Sequence, residues 1–328
     1  MPIRLPAQWE KQEFIMLVFP YIKSDWKHSI KEIRSSYIRL IEVIIKYQKC
    51  VILSASKQEA LHLLPKPENI EVLQVDTDDT WIRDFGGICI YKDGKLEILN
   101  FKFNAWGEKF GYKKDNRVNI KLNEQQFFKS PLRDIDFVLE GGSIDTNGKG
   151  VLLSTQNCIF NKNRNPNLSK EQIIDTLKTT LGAKEMIILK NGTLIGDDTD
   201  SHVDTLARFV DTNTIAYVKC YDKNDEHYDT LDRMENELKA TNFKLLPLPL
   251  PLPKYFQNRR LPATYLNFIF INGALVVPTY KDKNDKIALK ILQDFFKDRD
   301  VIGVDASIFI REHGSLHCST MNFYKELA

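Results

Sequence analysis

Cys318 is the one cysteine of five that does not sit in an apolar string. Cys50, Cys89, Cys158 and Cys220 lie in "CVIL", "GICIY", "NCIF" and "YVKCY", whereas Cys318 lies in "HGSLHCSTMN", among Gly, Ser, His and Thr. A cysteine nucleophile needs a proton partner and a reason to be thiolate. His202, in "DDTDSHVDTLARF", is the candidate partner, with Asp204 two positions on. On a strand, residues two apart face the same side, so this base and this carboxylate would aim at a common point. Asp84 in "WIRDFGG" and Glu140 in "VLEGGSID" are further carboxylates in apolar surroundings, where burial asks for a reason. The two glycines after Glu140 allow a backbone or a ligand to come close.

Several carboxylates around one cysteine are wrong for a peptidase. Acyl transfer must stabilise a developing oxyanion, which calls for donors rather than acids. Carboxylates also raise a thiol pKa. The set makes sense if the substrate is itself a cation. A guanidinium is planar, always charged and offers five N–H donors in a fork. Asp84 and Asp204 could each hold it bidentately, and its charge would favour the thiolate of Cys318. The chemistry that follows is attack of sulfur on the guanidinium carbon, with proton transfer through His202 and ammonia as leaving group.

Each residue also has a plainer reading. Arg83 and Asp84 can form a structural ion pair, and Glu140 can end a strand in a solvated turn. The run Asp197, Asp198, Asp200, His202 and Asp204 can be a solvated acidic loop. The same run offers ligand types that iron or manganese accept, but no second HxD or HxxxH element accompanies it, and no metal is expected. No Gly-rich phosphate loop is present, so no nucleotide cofactor is expected either.

The elements that must position these residues are strands and helices in alternation. "SIKEIRSSYIRLIEVIIKY" places Ile30, Ile33, Tyr37, Ile41, Ile44 and Ile45 on one helical face. "SKEQIIDTLKTTLG" carries a capping box, Ser169 with Gln172, and stops at Gly182. Four segments read as strand, reversal, strand, and in "ATYLNFIFINGALVVP" the pair Asn272-Gly273 is a hairpin signal. The polar markers Asp84, Glu140, Asp204, Asn267 and Cys318 are separated by 56, 64, 63 and 51 residues. A repeat of that size points to a closed radial array in which the markers converge near the axis. Five unrelated hairpins in an open sheet is the alternative. The alternating "LLPLPLPLP" at 245–253 is expected to run from a strand end into a stiff loop near the pocket rim, with Arg259 and Arg260 solvated.

The 328-residue chain has an ordinary globular composition, 43% hydrophobic and 27% charged. A net charge of +2 is too small to suggest a nucleic-acid partner. No run of 18 apolar residues exists to span a membrane. The first residues lack the apolar core of a secretory signal, and the odd cysteine count argues against a disulfide framework. A reduced, cytoplasmic protein is expected.

Six motifs in order, "LPAQWEKQEFIMLVFP", "TWIRDFGG", "LEGGSID", "TDSHVDTLARF", "TYLNFIFINGALVVP" and "GSLHCSTMN", resemble the agmatine deiminase family, which includes bacterial peptidylarginine deiminases. The resemblance covers nearly the whole chain. It implies one catalytic domain over 1–328, a five-bladed pseudo-symmetric α/β propeller of the pentein class. It implies hydrolysis of agmatine to N-carbamoylputrescine and ammonia through a covalent amidino intermediate on Cys318, without a cofactor. Peptidyl or C-terminal arginine is the alternative substrate. By the same resemblance His202 is the acid/base, Asp84 and Asp204 bind the guanidinium, and Glu140 orients the histidine. Trp81 and Asp198 line the pocket for the substrate tail. Family members commonly form dimers or higher assemblies, so a homo-oligomer is expected on the same ground. Two departures stand out. "REHGSLHC" replaces the usual glycine run before the nucleophile, and "RDFGG" replaces the usual "RDTGP". His317 is given no role, since neighbours in a strand point to opposite faces.

Overall fold

One four-part unit recurs five times: a short strand, an antiparallel return strand, a helix, and a third strand parallel to the second. In a computed structural model describing residues 3–66 and 68–327, the first unit pairs Ile88–Lys92 with Lys95–Lys102. It returns through the helix Val118–Glu124 to Leu132–Val138. Met1, Pro2, Pro67 and Ala328, within the 1–328 span above, lie outside the described residues. The second unit runs Ile144–Thr146, Val151–Thr155, helix Lys170–Leu181 and strand Glu185–Leu189. The third runs Ala207–Phe209, Thr214–Lys219, helix Tyr228–Lys239 and strand Lys244–Pro249. The fourth runs Ile269–Ile271, Ala274–Thr279, helix Asp285–Phe295 and strand Asp300–Asp305.

The fifth unit is assembled from both ends of the chain. Thr320–Tyr324 lies antiparallel to Gln12–Val18, which continues through helix Ile30–Ile44 to the parallel strand Lys49–Ser54. This pairing closes the ring. A fourth strand, Ile70–Gln74, extends the sheet. Parallel pairing needs a crossover, and a helix supplies it in every unit.

Local sequence explains these elements. Ser169 and Gln172 form the reciprocal capping box, and Gly182 ends that helix in the left-handed region at φ 70°. Asn272 and Gly273 turn the fourth hairpin, with Gly273 at φ 81°. Helix Ile30–Ile44 buries Ile33, Tyr37, Leu40, Ile41 and Ile44; Leu40 joins the expected face, while Ile30 and Ile45 sit at its edge. Pro247 and Pro249 are tolerated because Lys244–Pro249 is an edge strand. The proline loop beyond it borders a separate crevice with Leu194, not the central cavity, and the Arg260 side chain is only 7% exposed, paired with Asp225 and Glu226.

One local expectation is corrected. His202 and Asp204 do not alternate on a strand. His202 is the extended residue that enters the 3-10 turn Val203–Thr205, and the strand begins only at Ala207. Asp84 lies likewise in a helical turn, Ile82–Phe85, and Glu140 precedes the turn Gly141–Ser143. The reason is hydrogen bonding. A turn at the inner end of each unit leaves backbone N–H groups outside the ladder, free to hold a carboxylate.

Candidate active site

The turns meet at the hub around a cavity of about 260 Å³. Seven carboxylates line it: Asp25, Asp79, Asp84, Asp197, Asp198, Asp204 and Glu312. No Lys or Arg lines it among the described residues; Cys318, His202, His313, Trp81 and Trp106 do. Five of the seven sequence-derived candidates, Asp84, His202, Asp204, Cys318 and Glu140, converge here, with Glu140 just behind the wall. Trp81 and Asp198 line it as well.

Asp84 is buried and takes one hydrogen bond on each oxygen. The Gly142 amide donates to Oδ1 and the Trp106 indole N–H donates to Oδ2, both at 2.9 Å. The delivery of Trp106 is costly. Ala105, Trp106, Gly107 and Glu108 all have positive φ, at 50°, 56°, 91° and 66°. Non-glycine residues in that region carry strain, and such strain persists where the surroundings enforce it. Trp106 could not be picked out from sequence, since nothing in "FNAWGEKF" announces a left-handed run.

Asp204 is held from behind by His317, whose Nδ1 lies 2.6 Å from Oδ2. The tautomer follows from a chain of donors. Arg208 can only donate, so the oxygen of the Gln8 amide faces it at 2.6 Å. The Gln8 amide nitrogen then donates to His317 Nε2 at 2.7 Å, leaving Nδ1–H to donate to Asp204. Burial, with Arg208 and Arg83 nearby, pushes the His317 pKa well down and keeps the ring neutral. The other oxygen, Asp204 Oδ1, is buried without a donor among the described residues.

Asn267 shapes the turn that carries Cys318. Its side-chain oxygen accepts from the amides of His317 and Cys318 at 2.9 and 3.3 Å and lies 3.4 Å from Cys318 Sγ. That sulfur is 3.9 Å from Asp204 Oδ2. Burial first, then the fields of Asp204 and Asp84, push the thiol well above its ordinary value.

His202 is 1% exposed, and its Nδ1 stands 3.7 Å from Asp84 Oδ1. Neither ring nitrogen has a hydrogen-bond partner among the described residues. Burial pushes its pKa well down, with Arg164 and Lys109 adding to the effect. Glu140 does not hydrogen-bond to the ring here. Arg164 Nε reaches both Glu140 oxygens at 2.9 Å, and Arg164 also spans to Asp200 at 2.7 Å. Gly142 sits among these groups. A Cβ there would fall 2.6 Å from His202 Nδ1, 2.9 Å from Asp84 Oδ1 and 3.0 Å from Asp204 Oδ2.

Trp81, Asp198 and the Glu312, His313 and Gly314 part of the "REHG" segment complete the lining. His313 adopts φ 68° and its Nδ1 lies 2.6 Å from the Gly196 carbonyl oxygen. Gly314 lies flat on the Trp81 indole, since a Cβ would fall 2.4 Å from a ring carbon. Burial raises the Asp198 pKa to about 6, against the opposing effect of His313. Asp204 is raised to about 7, by burial against the pull of Arg208 and Arg83. Burial also raises Asp79 and Asp84 well above the usual carboxylate range. Such a cluster of carboxylates is relieved by a bound cation.

The five-unit α/β ring is the pentein fold. It is shared with an amidinotransferase from Microseira wollei, 12% identical at a TM-score of 0.57, with 100% of this chain and 98% of that one covered. The chain belongs to the Porphyromonas-type peptidyl-arginine deiminase family, whose model matches residues 4–323. A cysteine-to-serine form of C. jejuni agmatine deiminase with substrate bound is 49% identical, with a TM-score of 0.97 over 99% of this chain and 97% of that one. Agmatine deiminase of Enterococcus faecalis is 26% identical, with a TM-score of 0.91 over 99% and 97% of the two chains.

Proposed function

We propose that this protein is an agmatine deiminase. The observation that carries the reading is a cavity lined by seven carboxylates, by Cys318 and by His202, with no lining Lys or Arg among the described residues. Agmatine presents a guanidinium and a distant ammonium. Asp84 and Asp204 bind the guanidinium, and Asp198 beside Trp81 receives the ammonium. The cation offsets the carboxylate field that holds Cys318 protonated, so substrate itself lowers the thiol pKa.

The thiol proton passes to His202 as Sγ attacks the guanidinium carbon. His202 gives that proton to one amino group, the C–N bond breaks and ammonia leaves. An amidino group remains on sulfur. His202 then takes a proton from water, the oxygen adds to the same carbon, and the C–S bond breaks. N-carbamoylputrescine departs and Cys318 recovers its proton. Glu140 acts on His202 through the local field, its own charge shared with Arg164. Five free cysteines support a reducing, cytoplasmic setting.

The test is ammonia release by the purified protein from agmatine, free arginine and a C-terminal arginine peptide. Agmatine should be preferred, because the carboxylates at the tail end repel the carboxylate of arginine. The family description favours peptidyl arginine as the second reading. Faster turnover of the peptide would establish it and overturn the first.

A further inference from the structure

A second thiol lies behind His202. Cys158, in the short helix Gln156–Ile159, is fully buried, with Sγ 3.9 Å from Glu140 Oε2. Cys158 Sγ, a Glu140 oxygen and a His202 ring nitrogen all lie within 4.8 Å of one another. His202 is 1% exposed and both its nitrogens lack a partner among the described residues. We propose that Glu140, Cys158 and His202 form a site for a thiophilic divalent cation of the Zn2+ class, and that its occupation switches the enzyme off.

The donor set selects the ion. Thiolate, imidazole and carboxylate are the ordinary ligands of Zn2+, whereas Mg2+ and Ca2+ require oxygen. Tetrahedral ligand atoms around zinc stand roughly 3.3–3.8 Å apart, so these donors need close by only about an ångström. His202 lines the hub cavity, whereas Cys158 and Glu140 lie behind it. Arg164 uses one lone-pair direction of each Glu140 oxygen and leaves another for the ion. Its charge beside the ion weakens the site, so a chelator should empty it. On binding, Cys158 releases its thiol proton to the buffer. His202 commits a ring nitrogen to the metal and no longer moves protons for Cys318. Inhibition rests on the role proposed for His202; binding rests on the geometry alone.

Cys318 is the competing thiol, and variants separate the two. Co2+ is titrated as a spectroscopic probe, and Zn2+ by calorimetry, into the full-length Cys318→Ala and Cys158→Ser proteins. Cys318→Ala should bind one equivalent and show thiolate-to-cobalt charge-transfer absorption. Cys158→Ser should lose that absorption and bind Zn2+ at least about tenfold more weakly. Cys158→Ala serves as a second variant should the serine protein fail to fold. Turnover of the Cys158 variants should need about tenfold more Zn2+ for inhibition than wild type. Absorption that survives Cys158→Ser and vanishes in Cys318→Ala overturns the proposal, and so does an absence of binding to Cys318→Ala. A Cys158-dependent cobalt band in a protein that never turns over agmatine supports the metal site and sinks the functional reading instead.

Discussion

His317 and Asp204 share a fully buried hydrogen bond of 2.6 Å, and the proton on it is set by Gln8 and Arg208 behind. The contact fixes one Asp204 oxygen and leaves the other, Oδ1, without a donor among the described residues; in the function proposed above, that oxygen takes the guanidinium. Replacing Gln8 with Leu frees His317 to take the other tautomer. A charge-assisted hydrogen bond contributes about 1.5–3 kcal/mol, so Q8L should lower kcat/KM about tenfold to a hundredfold. Steady-state kinetics alongside thermal unfolding would check it. A folded Q8L protein with unchanged kcat/KM would count against the relay.

Cys318→Ala should abolish turnover while agmatine binding persists. In the wild-type protein without substrate, alkylation of Cys318 by iodoacetamide should be slow at neutral pH, because burial and the Asp204 and Asp84 charges hold the thiol protonated. A guanidine that cannot be turned over should change the alkylation rate by binding. Mass spectrometry locating the adduct reads both effects. Fast alkylation of the free protein at neutral pH would mean the thiolate exists before substrate binds.

The carboxylates make opposite demands on stability and on binding. The folded-state pKa of Asp204, about 7, stands above its ordinary 3.8, so the folded protein holds that proton more tightly than the unfolded chain. Its contribution to stability is fully present below the ordinary value and is lost as pH rises to about 7. Binding of a cation needs the ionised form, so KM for agmatine should fall as pH rises through about 7. Melting temperatures of Cys318→Ser at about pH 6 and about pH 8 would test this. Agmatine should raise the melting temperature more at the higher pH, and Asp204→Asn should remove most of the difference.

Gly142→Ala places a methyl group against His202, Asp84 and Asp204 at 2.6–3.0 Å. The contacts are under normal van der Waals separation, so the histidine or the carboxylates must shift. Misplacement by about an ångström costs on the order of a hundredfold in rate. G142A should therefore fold and lose kcat by about that factor. Wild-type kcat in G142A would show that these side chains have room to adjust.

Asp198→Asn should raise KM for agmatine about tenfold to a hundredfold with a smaller effect on kcat. A simple alkylguanidine without the ammonium should be turned over equally well by D198N and wild type. If D198N lowers turnover of both substrates alike, Asp198 does not read the tail.

Much of this was legible in the amino-acid order. Cysteine in a polar string, carboxylates inside apolar ones, and a spacing of 51–64 residues between Asp84, Glu140, Asp204, Asn267 and Cys318 are local properties that any reading of the chain finds. They pointed to a ring of five units with these residues at its hub, against an open sheet of five hairpins, and the resemblance of the six motifs to the agmatine deiminase family implied the ring. The same order determined the capping box at Ser169 and the Asn272-Gly273 turn, which depend on neighbours a few positions away. Tertiary structure decided how those groups are wired. Gln8 meets His317 across 309 residues of chain, a contact that exists only because Thr320–Tyr324 returns to Gln12–Val18. Glu140 faces Arg164 rather than the His202 ring, and Asp84 meets an indole carried on a left-handed segment. His202 and Asp204 aim inward from a turn, not from a strand. Hydrogen-bond partners of buried charges are chosen by proximity after the ring closes, and that proximity is not written in any short stretch of sequence.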